Sequence, residues 1–170
     1  YENRLERIYP STKNEEADLE EPGYNPKTGG IFTLKGYACP AFVIQGPACD
    51  SNPILLKKLI SVLPVESKRA EPDIDILSWR QDGGPTADDY IVTIVFVRKK
   101  HRPNCYSEEG KAQCLVSPGA IDMGGLLITP RKEDFDKLNA KLATNILREV
   151  TISESEMNAI ARRLHGHKHN

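Results

Sequence analysis

The sequence predicts an α+β domain built on a mainly antiparallel sheet, with one flanking helix and a C-terminal helical pair. Three observations carry that prediction. Short β-rich segments occupy the chain to about residue 129, helical periodicity is clustered after them, and no internal repeat or heptad run is present. Hydrophobic residues make up 39% of the 170, and with the glycines added the share reaches that of ordinary globular domains, about 45–50%. Wholesale disorder is excluded, and a chain of this length is expected to form one core. Lys+Arg number 23 against 24 Asp+Glu, a formal net charge of -1. No global field draws the chain to nucleic acid or to an anionic membrane, so neither is expected as a partner and any anion site must be local. Its longest apolar runs are about five residues, far below the roughly 18 that a spanning helix needs.

Residues 1–30 carry Pro10, Pro22, Pro26, Gly29-Gly30 and an acidic cluster at Glu15, Glu16, Asp18, Glu20 and Glu21. Such a stretch buries too little to offset its ordering entropy, and is expected to be an extended lead outside a single domain at 31–170. The chain begins at Tyr1 without an initiator methionine, a basic leader or a small-residue cleavage site, which leaves open a processed end, an engineered boundary or an excised fragment.

Ile31 to Lys35 and Ala41 to Gln45 read as strands across the Gly36 to Pro40 break. Asn52-Pro53 reads as a helix start, Asn52 capping and Pro53 presetting φ, with Leu55, Leu56, Leu59, Ile60 and Leu63 on one stripe that ends before Pro64. Ile74 to Trp79 and Tyr90 to Val97 are two further strands. The second is apolar on both faces, broken by Thr93, and is expected inside the sheet with cover on each side. Gln113 to Val116 and Leu126 to Thr129 are expected as short strands that extend the meander. Helices follow at Glu133 to Lys137, from an Asn139 cap to Val150, and from the capping box Ser153-Glu154-Ser155-Glu156 along the stripe Met157, Ile160, Ala161 and Leu164.

The densest cluster able to do chemistry is Arg98-Lys99-Lys100-His101-Arg102, directly after the apolar strand. Arg offers planar paired donors and Lys a point charge, both suited to phosphate oxygens. A second basic pair, Arg131-Lys132, follows the segment Leu126 to Thr129. In an antiparallel meander the first and third strands run the same way and their basic ends share one edge, making these seven residues candidate ligands of a phosphate or nucleotide. The alternative is a solvated turn, with Arg131 and Lys132 paired to Glu133, Asp134 or Asp136. Between the clusters, Ser117 to Gly125 is rich in glycine, but without phosphate-loop spacing, and reads as a tight turn with a bulge. Asp122 there either orients a group at the edge or bonds nearby backbone amides.

No catalytic residue, metal site or cofactor is expected. His165, His167 and His169 alternate at the end of the last helix as a fraying tail, and His101 beside Cys105 lacks an orienting third group. The four cysteines, Cys39, Cys49, Cys105 and Cys114, contain no C-x-x-C pair. They fit reduced thiols in the cytoplasm, with Cys39/Cys49 and Cys105/Cys114 the disulfide pairings left open.

From Asp73 onward the chain resembles a bacterial family of unknown function related to the GDP-L-galactose phosphorylases and, more remotely, to diadenosine tetraphosphate phosphorylase and galactose-1-phosphate uridylyltransferase. The residues that carry the resemblance are Arg98 to Pro103, the run Ser117 to Phe135 (SPGAIDMGGLLITPRKEDF), and Leu147 to Glu154. Residues 1–72 resemble that family's middle region only loosely. The superfamily has a histidine-triad-like fold, and its enzymes attack a nucleotide phosphate with a histidine of a His-x-His-x-Gln strand. That motif does not occur in these 170 residues. The resemblance therefore implies an accessory C-terminal half of a nucleotide phosphorylase or nucleotidyltransferase, completed by an absent N-terminal half. The alternative it leaves is a noncatalytic binding or structural module fused to a sporulation-protein-like domain of the amidase-enhancer type.

Overall fold

In the computed structural model, residues 5–10, 29–34, 36–47, 51–65, 70–82 and 89–166 are described. Five antiparallel strands form one sheet: β1 (Leu5–Pro10), β2 (Gly30–Leu34), β3 (Phe42–Pro47), β4 (Ile74–Gln81) and β5 (Tyr90–Val97), in the spatial order β1-β2-β3-β5-β4. The helices are α1 (Ser51–Ile60), α2 (Asn104–Ser107), α3 (Ala120–Met123), α4 (Lys132–Lys137), α5 (Ala140–Val150) and α6 (Glu154–Gly166). The α+β class and the antiparallel sheet expected from the sequence are what the chain adopts.

Period-two alternation divides the core. Ile31, Phe42, Ile44, Val95 and Val97 point to one face, where Leu55 and Leu59 of α1 and Met157, Ile160 and Leu164 of α6 cover them. Phe32, Val43, Val92 and Phe96 point to the other, against Leu147 and Val150 of α5 and Met123 of α3. β5 thus lies inside the sheet with helices on both sides, as its two-faced apolarity requires. Burying each large side chain of these faces removes apolar surface worth about 1.5–3 kcal/mol from water.

Helix α5 starts where its cap predicts, with Leu142 N–H donating to Asn139 Oδ1 at 3.0 Å. The capping box of α6 closes in both directions: Ser153 N–H donates to Glu156 Oε2 at 2.7 Å, and Glu156 N–H to Ser153 Oγ at 3.3 Å. Helix α1 departs from expectation at its start. Asn52 lies inside the helix, and its Nδ2 donates to Ile91 O of β5 at 2.9 Å, so the side chain ties α1 to the sheet instead of capping it.

Two predicted strands do not form. Gln113 to Val116 is an extended segment whose amides turn elsewhere: Cys114 N–H donates to Cys105 O at 2.9 Å, and Leu115 N–H to Asp134 Oδ2 at 3.3 Å. Leu126 to Thr129 likewise has no strand partner, and Ile128 N–H donates to Asp122 Oδ1 at 2.8 Å. Its Leu126 and Ile128 are exposed, so no hydrophobic face drives it onto the sheet. The Gly-rich turn contains the single helical turn α3, closed by Gly125 in the left-handed region at φ 106°. Part of the lead also enters the sheet, since Leu5–Pro10 pairs with β2 as an outer strand. Most of the remaining lead, with its acidic cluster, lies outside the described residues, as does the tail from 167 to 170.

Candidate functional site

The basic run begins where β5 runs out of sheet. Arg98 N–H donates to Asp73 O at 2.8 Å, Lys99 N–H to Val150 O at 3.0 Å, and Ile152 N–H to Val97 O at 3.1 Å. The end of β5 is thereby held between the approach to β4 and the α5–α6 junction, and the side chains that follow are fixed in different directions.

Arg98 turns inward and is 8% exposed. Its Nη1 donates to Asp75 Oδ2 of β4 at 2.5 Å and to Pro118 O at 2.7 Å, while Nη2 donates to Lys100 O at 3.1 Å and His101 O at 2.8 Å. One guanidinium gathers β4, the turn after β5 and the Gly-rich segment around a single point, a geometry suited to its planar fork. Its Nε is buried and has no partner.

Lys100 is drawn to α5. Its Nζ donates to Glu149 Oε1 at 2.5 Å and to Asn104 Oδ1 at 2.8 Å, and Asn104 N–H reaches the same Glu149 oxygen at 3.0 Å. Burial works to raise the Glu149 carboxyl, but the bonds from Lys100 and Asn104 outweigh it and hold the group below the usual glutamate range. Lys99, His101 and Arg102 are exposed, with the Arg102 guanidinium 4.2 Å from the centre of the Tyr106 ring. Among the described residues, no carboxylate lies within ion-pair distance of these three.

Arg131 and Lys132 sit at the start of α4 rather than at the end of a strand. Arg131 grips Asp134 in bidentate fashion, Nε to Oδ2 at 2.7 Å and Nη2 to Oδ1 at 2.9 Å, and its Nη1 also meets Gln113 Oε1 at 3.2 Å and Glu133 Oε1 at 2.9 Å. Asp134 is 0% exposed, and the Arg131 bond holds its carboxyl below the ordinary value. Lys132 pairs with Asp136 at 2.7 Å. The shared basic edge expected from the meander is therefore not built: the two strands that would have aligned it are absent, and Arg98 and Arg131 close onto different carboxylates. The pairing of Arg131 and Lys132 with the acids of α4 is the alternative that the sequence spacing had left open. Asp122 bonds backbone, accepting from Gly119 N–H at 2.9 Å and Ile128 N–H at 2.8 Å.

Sequence reasoning missed the partners Asp75 and Glu149, which lie 23 and 49 residues from the cations they bind; no local spacing announces them. Among the described residues, no group of three or more His, Cys, Asp or Glu side chains is arranged to hold a metal ion.

Arg98 itself, its acceptors Lys100, His101 and Pro118, and the α5–α6 junction fall within a stretch that a family model matches, whereas Asp73 and Asp75 precede it. Residues 90–167 match the model of the family described as GDPGP1-like, C-terminal domain. This relates the region to the C-terminal part of the GDP-L-galactose phosphorylases. The match begins at Tyr90, the first residue of β5, and takes in the basic turn and α2 to α6, leaving β1 to β4 and α1 outside it. No curated protein and no solved structure matches the chain.

Proposed function

We propose that this chain is the accessory C-terminal half of a nucleotide phosphorylase- or nucleotidyltransferase-like protein, supplying scaffold and anion contacts to a centre whose nucleophilic histidine lies on another segment. The observation that carries this reading is the family match over residues 90–167, combined with the absence of His-x-His-x-Gln from the sequence. Nucleotidyl transfer through histidine needs an imidazole whose tautomer is fixed by a partner. Among the described residues, no hydrogen bond orients the ring of the exposed His101. On this reading the chain alone does not carry out nucleotidyl transfer. Cys39, Cys105 and Cys114 are free thiols, which suits a reducing, cytoplasmic setting, and among the described residues no helix is long and apolar enough to cross a membrane.

Within that role the anion contacts fall to Lys99, His101 and Arg102, because Arg98 and Arg131 are committed to internal partners. A phosphate on this turn gains charge-assisted hydrogen bonds in open solvent, which supports affinity of about 1 mM that falls as salt rises. Titration of GDP or inorganic phosphate, followed by NMR shifts of the 99–102 amides, tests it. Lys99→Ala/Arg102→Ala should weaken binding about tenfold, the equivalent of roughly 1.4 kcal/mol. Equal, salt-insensitive affinity in both proteins would remove the anion role.

A second reading, a binding module without any link to catalysis, is favoured by one observation. Ile121, Leu126, Ile128 and Phe135 are all more than half exposed along the connection from α3 to α4, and such apolar surface suits contact with another polypeptide. The full reading frame separates the two: an upstream His-x-His-x-Gln supports the first, an unrelated upstream domain the second.

A further inference from the structure

Cys105 and Cys114 lie at the two ends of a short excursion that leaves α2, passes through the turn at Gly110 (φ 63°) and returns. The return is sealed by Cys114 N–H donating to Cys105 O at 2.9 Å, which brings the two residues side by side, as a disulfide requires. Both side chains enter one small apolar cluster with Val116 and Ile146. Their exposure differs: Cys105 is partly open, whereas Cys114 is 1% exposed.

We propose that these two residues are a redox pair, in which a hydroperoxide oxidises Cys105 and Cys114 then closes the disulfide. The Cys105 thiol loses its proton to solvent, and its sulfur attacks the distal peroxide oxygen. An S–O bond forms, the O–O bond breaks and an alcohol or water leaves, with sulfur oxidised and peroxide reduced. The Cys114 sulfur then attacks the sulfenic sulfur; an S–S bond forms, the S–O bond breaks, and the Cys114 proton departs with hydroxide as water. The partly open thiol is the one an oxidant meets, and the buried one resolves it. Closure links two polar anchors, Asn104 on Glu149 and Gln113 on Arg131, by a covalent bridge across the excursion.

The surroundings set the pace. Burial pushes the Cys105 thiol up to about 11, and Cys114, Glu149 and Glu108 push the same way. Cys114 is raised by burial and by Asp134, with Lys137 and Arg131 opposing. Thiolate is scarce near neutrality, so the rate should climb about 100-fold between pH 7 and pH 9.

The test treats the wild-type chain with hydrogen peroxide, blocks remaining thiols by alkylation and digests with trypsin, which cuts after Lys111 between the two cysteines. The expected result is peptide 101–111 joined to peptide 112–131, released by dithiothreitol and formed ahead of any link to Cys39 or Cys49. Cys114→Ser should leave Cys105 as a sulfenic acid that a 1,3-dione traps. Over-oxidation of Cys105 without linkage in the wild type, a bridge from Cys105 to another cysteine, or inert thiols across pH 7–9 would each overturn the proposal, and none depends on the variant folding.

Discussion

Arg98→Met removes the guanidinium while keeping much of the stem's volume. Asp75 Oδ2 and the carbonyls of Pro118, Lys100 and His101 then lose donors at a site where the Arg98 side chain is only 4% and that of Asp75 20% exposed. Breaking a buried pair from one side costs about 3–5 kcal/mol. Because Asp75 retains some access to water and can rehydrate, the lower part of that range applies, roughly 3 kcal/mol out of a total of about 5–15. Asp75→Asn should cost less, about 1–2 kcal/mol, since the guanidinium keeps its three carbonyl acceptors. The two substitutions together should cost less than their sum, because the second removes the charge that the first strands. Urea unfolding followed by circular dichroism reads this as a lower midpoint at unchanged slope. An Arg98→Met chain within 0.5 kcal/mol of wild type, or strictly additive losses, would refute the view that Arg98 is a structural clamp and return it to the pool of ligand-binding cations.

Acid should destabilise the chain through Asp134, Glu149 and Glu156. The Arg131 bond lowers Asp134; in Glu149, burial is outweighed by Lys100 and Asn104; and Glu156 is lowered by the Ser153 amide and hydroxyl. A depressed folded value stabilises above the unfolded one and is lost as pH falls through it, so stability should hold near neutrality and decline below about pH 4.5. Asp134→Asn should flatten part of that decline in urea midpoints taken from pH 6 to pH 3, and an unchanged profile would contradict the assignment. Gly125→Ala places a side chain on a φ of 106° and should cost about 1–3 kcal/mol in the same unfolding assay; a neutral effect would show that the turn relaxes freely.

The sheet was legible wherever a residue's own pattern dictates its burial. Tyr90–Val97 is apolar on both sides and is covered on both sides, and the caps Asn139 and Ser153 work within a few residues of themselves, so local spacing was enough. Gln113 to Val116 shows the limit. Cys114 and Val116 alternate inward as a strand would, yet alternation says which face is buried and not which backbone is opposite, and here the amides find a loop carbonyl and a carboxylate. Leu5–Pro10 was hidden for the converse reason: it joins the sheet through backbone pairing with β2, which a stretch rich in breakers does not advertise. The candidate site divides along the same line. Arg131 and Asp134 are three residues apart and could be weighed as a pair from the sequence. Arg98 reads in the sequence as one more cation of the basic run, because its fate depends on Asp75 and Pro118, brought together only by the pairing of β4 with β5 and the return of the Gly-rich segment.

The proposed role, support of a nucleotidyl-transfer centre whose nucleophile lies on another segment, can be tested on the chain itself. The most direct measurement incubates the purified chain with a GDP-hexose labelled in the α-phosphate, quenches under alkaline conditions that preserve phosphoramidates, and counts label retained on protein. The expected result is no retained label and no phosphorolysis of the sugar nucleotide. Stoichiometric label that disappears in His101→Ala would contradict the account and place a nucleophilic histidine in the turn after β5.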